Sequence, residues 1–140
     1  MMGTAIRAEV SKKNQWWIPK HRYYELKHFC MQYPDWQRWR RELRELSISS
    51  GLGHAVRMEP AFGRPTETIT ERITYFDRRI ELVENAAKQV DTVIGSYILQ
   101  GVVTGKSYDI LYLSRPIPCC RDIYYDLYRK FFYILDNLRE

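Results

Sequence analysis

The chain has 140 residues, 45% hydrophobic and 28% charged, a composition that indicates a globular protein with room for one domain and an appended subdomain. Its three cysteines, an odd number, argue against a disulfide framework and favour a reduced, cytoplasmic setting, and no apolar run approaches the roughly 18 residues that span a bilayer. The net charge of +5 is unevenly placed. Residues 1–65 hold twelve Lys/Arg against six Asp/Glu, net +6, whereas residues 66–140 hold ten against eleven, net −1.

The first third of the chain predicts a frayed polar arm followed by two helices. Ordered structure is expected to begin at Trp16. Pro19 suits the first turn of the first helix, and Pro34 is expected to end that helix. Asp35 is then the predicted N-cap of the second helix. The apolar positions of the two helices recur at three- and four-residue spacing: Tyr23, Leu26, Phe29, Cys30 and Tyr33 in the first, and Trp36, Trp39, Leu43 and Leu46 in the second.

The middle of the chain predicts a linker and then a long helix. Glycine and proline recur through residues 49–65, and this composition argues against a long helix or strand there. Thr68 and Glu71 have capping-box spacing, and Asp91 marks an expected break. The heptad-like stripe that follows the box indicates either the buried face of an intramolecular helix or the seam of a homodimer. Its members are Ile69, Ile73, Phe76, Ile80, Val83, Ala87, Val90, Ile94 and Tyr97.

The last third has the order of a helix-turn-helix, whose second helix can enter a DNA major groove. Ser107 is the predicted N-cap of a short helix, and Pro116 and Pro118 mark the turn after it. A longer amphipathic helix begins near Cys119 or Cys120. Its predicted buried stripe is Ile123, Leu127, Phe131, Ile134 and Leu138, widened by Tyr124, Tyr128 and Leu135.

The outward face of that last helix supplies the candidate DNA contacts. Asp122 and Asp126 are expected on nearly the same side, and carboxylates repel phosphates unless they pair with arginine or accept from a cytosine amino group. The alternative is a helical hairpin that only packs. The candidate base-reading residues are Arg121, Tyr125 and Arg129, and the candidate phosphate contacts are Lys106, Ser107 and Arg115.

A second candidate surface lies in the N-terminal part, where arginines alternate with tryptophans. Both residue types anchor protein interfaces, and the alternative is a solvated helix face backed by core aromatics. The candidate partner-binding residues are Trp16, Trp17, Arg38, Arg40, Arg41 and Arg44.

Catalysis is not predicted, and neither is a metal or cofactor. The sequence has no Gly-rich phosphate loop, no supported pair of carboxylates and no nucleophile signature. His21, His28 and Cys30 lack the spacing of a metal-ligand set. Cys119 and Cys120 beside Arg121 raise the alternatives of a thiol with a lowered pKa or of a small residue needed for close packing.

The final forty residues resemble the C-terminal segment of small phage and prophage regulators of the ArpU and RinA type, which are similar to region 4 of bacterial sigma factors. The residues that carry the likeness are Gly105 to Tyr108, Ile117 to Cys119, Arg121, Tyr124, Tyr125, Tyr128 to Phe132, and Leu135. The resemblance implies a transcription activator in the cytoplasm of a bacterial host that binds double-stranded promoter DNA and contacts host RNA polymerase.

Taken together, the sequence predicts an all-α protein, a helical bundle with a C-terminal helix-turn-helix preceded by a long heptad-patterned helix. Its expected parts are residues 1–48, a linker of 49–65 and a helical domain of 66–140. Two functions are expected: a phage-type transcription regulator that binds DNA, or a phage-encoded inhibitor or adaptor of anti-CRISPR type. The latter would bind a host protein or ribonucleoprotein through the aromatic-basic surface.

Overall fold

The computed structural model describes residues 13–50 and 68–139, so the predicted N-terminal arm as far as residue 12 and residues 51–65 of the linker lie outside it. The described residues are helical, which confirms the all-α prediction. They form α1 (Lys20–Met31), α2 (Tyr33–Ser50), α3 (Ile69–Val90), α4 (Gly95–Thr104), α5 (Tyr108–Ser114) and α6 (Arg121–Arg139). None of these helices is long and apolar enough to cross a membrane.

The described residues group into two compact units, one made of 13–32 with 82–139 and the other of 33–50 with 68–81. The first unit is built on α1, α4 and α6, each of which packs against the other two. Leu26, Ile98 and Phe131, one from each helix, have no exposed surface. This three-helix core supports α5 and the turn that leads into α6.

The second unit contains α2 and the first half of α3. Trp36 and Leu43 are buried on α2, while Leu46, predicted on the same apolar side, is 40% exposed. The ring of Trp39 lies 5.7 Å from that of Phe76, which is buried on α3. The unit therefore holds a small aromatic core of its own.

The junction of α1 and α2 differs from the prediction. α1 ends at Met31, and α2 begins at Tyr33 with Pro34 in its first turn, where the missing N–H of proline costs no helical hydrogen bond. Asp35 also lies in that first turn and pairs with Arg38 at 3.1 Å. The prediction that Pro34 ends the first helix and Asp35 caps the second is therefore wrong.

The N-terminus of α3 is closed by the predicted capping box. The backbone N–H of Glu71 donates to Oγ1 of Thr68 at 3.1 Å, and the backbone N–H of Thr68 donates to Oε1 of Glu71 at 3.0 Å. These hydrogen bonds hold the pKa of the Glu71 carboxyl below its usual value. The predicted start of the long helix is thus confirmed.

The heptad-like stripe is buried within the single chain. Ile69, Phe76, Ile80, Val83, Ala87 and Val90 on α3 are at most 4% exposed, and Ile73 is half-buried. This burial supports the intramolecular interpretation of the stripe over the homodimer seam, because side chains already covered offer no surface to a second copy.

α3 and α4 are separated at Asp91, as predicted. The Asp91 carboxylate accepts hydrogen bonds from the N–H groups of Ile94 at 2.6 Å and Val93 at 2.8 Å, and these bonds lower its pKa. Gly95, the first residue of α4, lies so close to α3 that a Cβ there would sit 2.3 Å from the carbonyl oxygen of Ala87. The corner between the two helices therefore needs a residue without a side chain.

Candidate nucleic-acid interface

The helix-turn-helix begins at the end of α4, where the chain reverses through a left-handed glycine. Gly105 has a φ of 74°, and its N–H donates to the carbonyl of Gly101. Such a φ is unfavourable for residues with a Cβ, so glycine is the expected residue at this cap. Ser107 then caps α5 as predicted, its Oγ accepting from the N–H of Ile110 at 3.4 Å.

Tyr108 fixes α5 against both the turn and α6. Its hydroxyl donates to the carbonyl of Cys119 at 2.6 Å, and its backbone N–H donates to the hydroxyl oxygen of Tyr125 at 3.0 Å. Its ring also makes an edge contact with the fully buried ring of Tyr124. This role of Tyr108 is not predictable from the sequence pattern, because its partners are 11 and 17 residues away and such separations carry no periodic signal.

The buried face of α6 differs from the predicted one. Ile123 and Leu138, both assigned to the core, are 53% and 40% exposed, so that part of the prediction is wrong. The buried residues are Tyr124, Tyr128, Phe131 and Leu135, which all belong to the predicted stripe, together with Phe132. The core face is therefore centred on residues predicted only to widen the stripe, while Leu127 and Ile134 are half-buried.

Arg121 and Tyr125 both make hydrogen bonds to residues of α5. Arg121 is the first residue of α6, and its guanidinium hydrogen-bonds to the carboxylate of Asp109, which raises the pKa of the arginine. Both partners of this ion pair are about half exposed. Tyr125 is half-buried and engaged by Tyr108.

The third predicted base-reading residue, Arg129, lies in the third turn of α6, away from the helix N-terminus. It is half-buried, and its Nε has no hydrogen-bond partner among the described residues. Asp122 is exposed on the outward face and Asp126 is half-buried. The structure thus places two carboxylates and Ile123 on the part of α6 that faces outward.

The three predicted phosphate contacts lie at the two ends of α5. Lys106 is exposed just before the cap, whereas the Ser107 hydroxyl is engaged by the helix it caps. The guanidinium of Arg115 lies 3.8 Å from the centre of the Tyr97 ring and donates to Oγ of Ser96 at 3.3 Å. Arg115 is nevertheless exposed, because stacking uses only one face of its guanidinium.

Of the two thiols near the turn, that of Cys119 is half-buried and that of Cys120 is exposed. Burial raises the pKa of Cys119, so the alternative of a lowered thiol pKa is wrong for that residue. Cys30 is fully buried in the core and is also free, and burial raises its pKa as well. In the described part of the chain no cluster of His, Cys, Asp and Glu could hold a metal ion.

The residues of the second candidate surface are divided between the two compact units. Trp16 belongs to the first unit, where it packs against the ring of Tyr133 at 5.4 Å, and Trp17 is half-buried in the same unit. In the second unit, Arg40 and Arg44 both contact the Asp77 carboxylate, at 2.8 and 3.4 Å. Arg38 pairs with Asp35, and Arg41 is exposed.

No family model, no curated protein and no solved structure matches the chain.

Proposed function

We propose that this protein is a phage-type transcription regulator that binds double-stranded promoter DNA through the helix-turn-helix of α5 and α6. The observation that supports the proposal best is the Tyr108-fixed turn, which presents Arg121 on the first residue of the second helix. In helix-turn-helix proteins the N-terminal residues of that helix contact base edges. The sequence resemblance to ArpU- and RinA-type regulators supports the same function.

The Arg121–Asp109 ion pair is compatible with a DNA contact. An exposed ion pair contributes little to stability, since water screens both charges, so the guanidinium can exchange its carboxylate partner for a guanine edge or a phosphate. Lys106 and Arg115 then contact the backbone from either end of α5. Contacts between positive side chains and phosphates are what positions a helix-turn-helix on the duplex.

The carboxylate of Asp122 restricts which DNA can be bound. On the outward face of α6 it repels phosphates, but it can accept a hydrogen bond from the N4 amino group of cytosine. We therefore expect the preferred site to contain a cytosine that Asp122 contacts. A duplex without a cytosine at that position would be repelled by the Asp122 carboxylate and would not gain this hydrogen bond.

A titration by fluorescence anisotropy tests the proposal. Duplexes that tile the region upstream of the gene are compared with scrambled duplexes of equal length, at two salt concentrations. One tile should bind more tightly than its scrambled version, and Arg121→Ala should weaken that binding roughly 5- to 150-fold. Lys88→Ala, which removes an exposed charge elsewhere in the same unit, is the control and should leave the affinity of the specific tile almost unchanged. Equal affinity for every duplex would contradict sequence-specific binding.

Contact with host RNA polymerase is the second part of the proposed activity. It is tested by adding purified polymerase to the specific complex and measuring whether a slower-migrating ternary complex forms. A regulator that acts only by occupying the site forms no such complex.

The alternative function is that of an inhibitor or adaptor that binds a host protein or ribonucleoprotein. The exposed arginines of α2 favour it, because Arg41 has no ion-pair partner in the described part of the chain. A pull-down from nuclease-treated host lysate, followed by rebinding of the purified partner, distinguishes it from the regulator. Arg38→Glu with Arg41→Glu should abolish rebinding while Arg121→Ala should not. Arg40 is left unchanged, because a glutamate there would face the Asp77 carboxylate and disturb the fold.

A further inference from the structure

Two arginines on the first half of α3 stack on one tyrosine ring, and a third arginine is adjacent to one of them in the chain. The guanidinium carbons of Arg72 and Arg79 lie 4.0 and 3.7 Å from the centre of the Tyr75 ring. Arg72 lies three residues before Tyr75 and Arg79 four residues after it, and this spacing places the two arginines and the tyrosine on one side of the helix. Arg78, next in the chain to Arg79, is exposed.

The tyrosine at the centre is held by the core of its unit. Its ring packs edge-on against that of Phe76 at 5.4 Å, and Phe76 is only 1% exposed. An arginine side chain whose guanidinium is stacked on a fixed ring has little conformational freedom before it binds a ligand. It therefore loses less of that freedom on binding than an unstacked arginine side chain does. Tyr75 therefore serves as a platform that positions Arg79.

Two of the neighbouring carboxylates are engaged by other groups. The Glu71 carboxylate closes the capping box with Thr68, and Asp77 is neutralised by Arg40 and Arg44. Glu81 is two residues beyond Arg79, about 200° around the helix, and three residues beyond Arg78, where it is a neighbour on the helix surface without forming an ion pair. In the described part of the chain, no carboxylate pairs with Arg78 or Arg79.

We infer that this surface of α3, formed by Arg72, Tyr75, Arg78 and Arg79, is a binding site for the phosphodiester backbone of nucleic acid. The face of the Arg79 guanidinium rests on the ring, while its N–H edge stays available for phosphate oxygens, which guanidinium groups bind in a bidentate manner. Binding is independent of sequence, because the surface offers charge without groups ordered toward base edges.

The inference goes beyond the proposed function and does not depend on it. The α3 surface belongs to the compact unit of residues 33–50 and 68–81, whereas α5 and α6 belong to the other unit. The affinity for a random-sequence duplex reports on binding by the α3 surface even if α5 and α6 bind no DNA. The Arg121→Ala background separates the two sites further.

The experiment is an anisotropy titration of the full-length Arg121→Ala protein with a random-sequence duplex of about 24 base pairs across a series of salt concentrations. Replacing both Arg78 and Arg79 with glutamine should weaken binding and reduce the slope of log affinity against log salt by about 2, since each phosphate contact contributes roughly 0.9. Replacing Lys20 and Lys88 with glutamine makes the same change in net charge elsewhere and should leave the slope nearly unchanged.

Two variants at the central ring test positioning separately from charge. Tyr75→Phe keeps the platform and should bind as the parent does, whereas Tyr75→Ala should weaken binding without any change in net charge. Circular dichroism of both variants establishes that the helices are retained. If Tyr75→Ala lost helical signal, the test would rest on the Arg78/Arg79 and Lys20/Lys88 double substitutions to glutamine. The substituted positions of both are exposed or half-buried on helices.

Three outcomes overturn the inference. The first is that the protein binds no duplex even at low salt. The second is an equal fall in affinity for the Arg78/Arg79 and Lys20/Lys88 pairs, which would show that only net charge matters. The third is that a poly-glutamate peptide binds with the expected dependence on Arg78 and Arg79 while the duplex does not, which would make the surface a contact for acidic protein.

Discussion

The hydroxyl of Tyr108 donates a 2.6 Å hydrogen bond to the backbone carbonyl of Cys119, which ties the first turn of α5 to the end of the turn that leads into α6. Tyr108→Phe removes this bond and leaves a half-buried carbonyl without its donor, so we expect a loss of about 1 kcal/mol in the free energy of unfolding. Urea denaturation measures it. Tyr112→Phe on the same helix, where the side chain is 44% exposed, should cost almost nothing. Equal effects of the two substitutions would show that the bond does not stabilise the turn.

The ion pair between Arg121 and Asp109 gives a second prediction. Asp109→Asn should free the guanidinium and remove a carboxylate from the neighbourhood of the phosphates, so this variant should bind the specific duplex more tightly than the parent protein does. The urea midpoint should change little, because both side chains are about half exposed. The comparison uses the duplex that the parent protein prefers. Weaker binding by the Asp109→Asn variant would mean that Asp109 orients Arg121 for DNA rather than competing with it.

Gly101 and Tyr124 allow a double-mutant test of packing. A Cβ at residue 101 would lie 2.0 Å from the hydroxyl oxygen of Tyr124, which is fully buried. Gly101→Ala should therefore destabilise the protein by about 1–3 kcal/mol. In a Tyr124→Phe background the same substitution should cost clearly less, because the oxygen is gone, although the tight contacts with Cδ1 of Leu111 at 3.3 Å and with Cζ of residue 124 at 3.4 Å remain.

The Tyr124→Phe substitution alone is the control for that cycle. The buried hydroxyl has no hydrogen-bond partner among the described residues, so its removal should leave the free energy of unfolding unchanged or slightly raised. A clear loss of stability on Tyr124→Phe would show that the hydroxyl has a partner, such as a bound water.

The three thiols should differ in reactivity toward an aromatic disulfide reagent at about pH 8, near the ordinary pKa of a free thiol. Cys120 is exposed and should react first, whereas partial burial, which raises the pKa of Cys119, should slow that thiol. Cys30 is fully buried and should react only on unfolding. Mass spectrometry of quenched samples counts the labels, and Cys120→Ser should lose the fast phase. Fast labelling at two sites would contradict the burial of Cys119.

Asp91 predicts a dependence of stability on pH. Hydrogen bonds from the N–H groups of Ile94 and Val93 lower the pKa of Asp91 in the folded protein, so its contribution is fully present above the unfolded pKa of about 3.9 and is lost as the pH falls through the folded value. Asp91→Asn should therefore reduce stability at about pH 6 and matter progressively less toward about pH 2.5. Urea midpoints of the parent and the variant across that range measure the difference. A difference that does not vary with pH would exclude the carboxylate charge as its cause.

Local features of this fold were predictable from the sequence because they depend on residues three or four positions apart. The Thr68–Glu71 box and the Ser107 cap are of this kind, and so is the break at Asp91. The buried face of α6 was predicted only in part, since Ile123 and Leu138 are exposed. Apolar and aromatic residues surround much of that helix, so its periodicity fits two stripes that differ by one residue, and Tyr124 rather than Ile123 faces the core.

The candidate site was less predictable than the fold because it depends on contacts between helices. Spacing alone placed Arg121 and Tyr125 toward solvent, whereas Asp109 and Tyr108 on α5 engage them. Neither partner can be inferred without the packing of α5 against α6. The functional role of these residues stays a prediction, to be tested by DNA titration.

Aromatic ring contacts run from α1 through α6 to α5, linking in turn Tyr23, Phe132, Tyr128, Tyr124 and Tyr108. The first ring comes from the N-terminal part of the chain and the last from the helix-turn-helix. A fragment that starts at residue 66 would therefore leave Phe132 without the ring of Tyr23 and expose the α1-facing side of the core to water. The segment of α5 and α6 thus depends on α1 for part of its core, and a fragment made for the DNA titration has to retain α1.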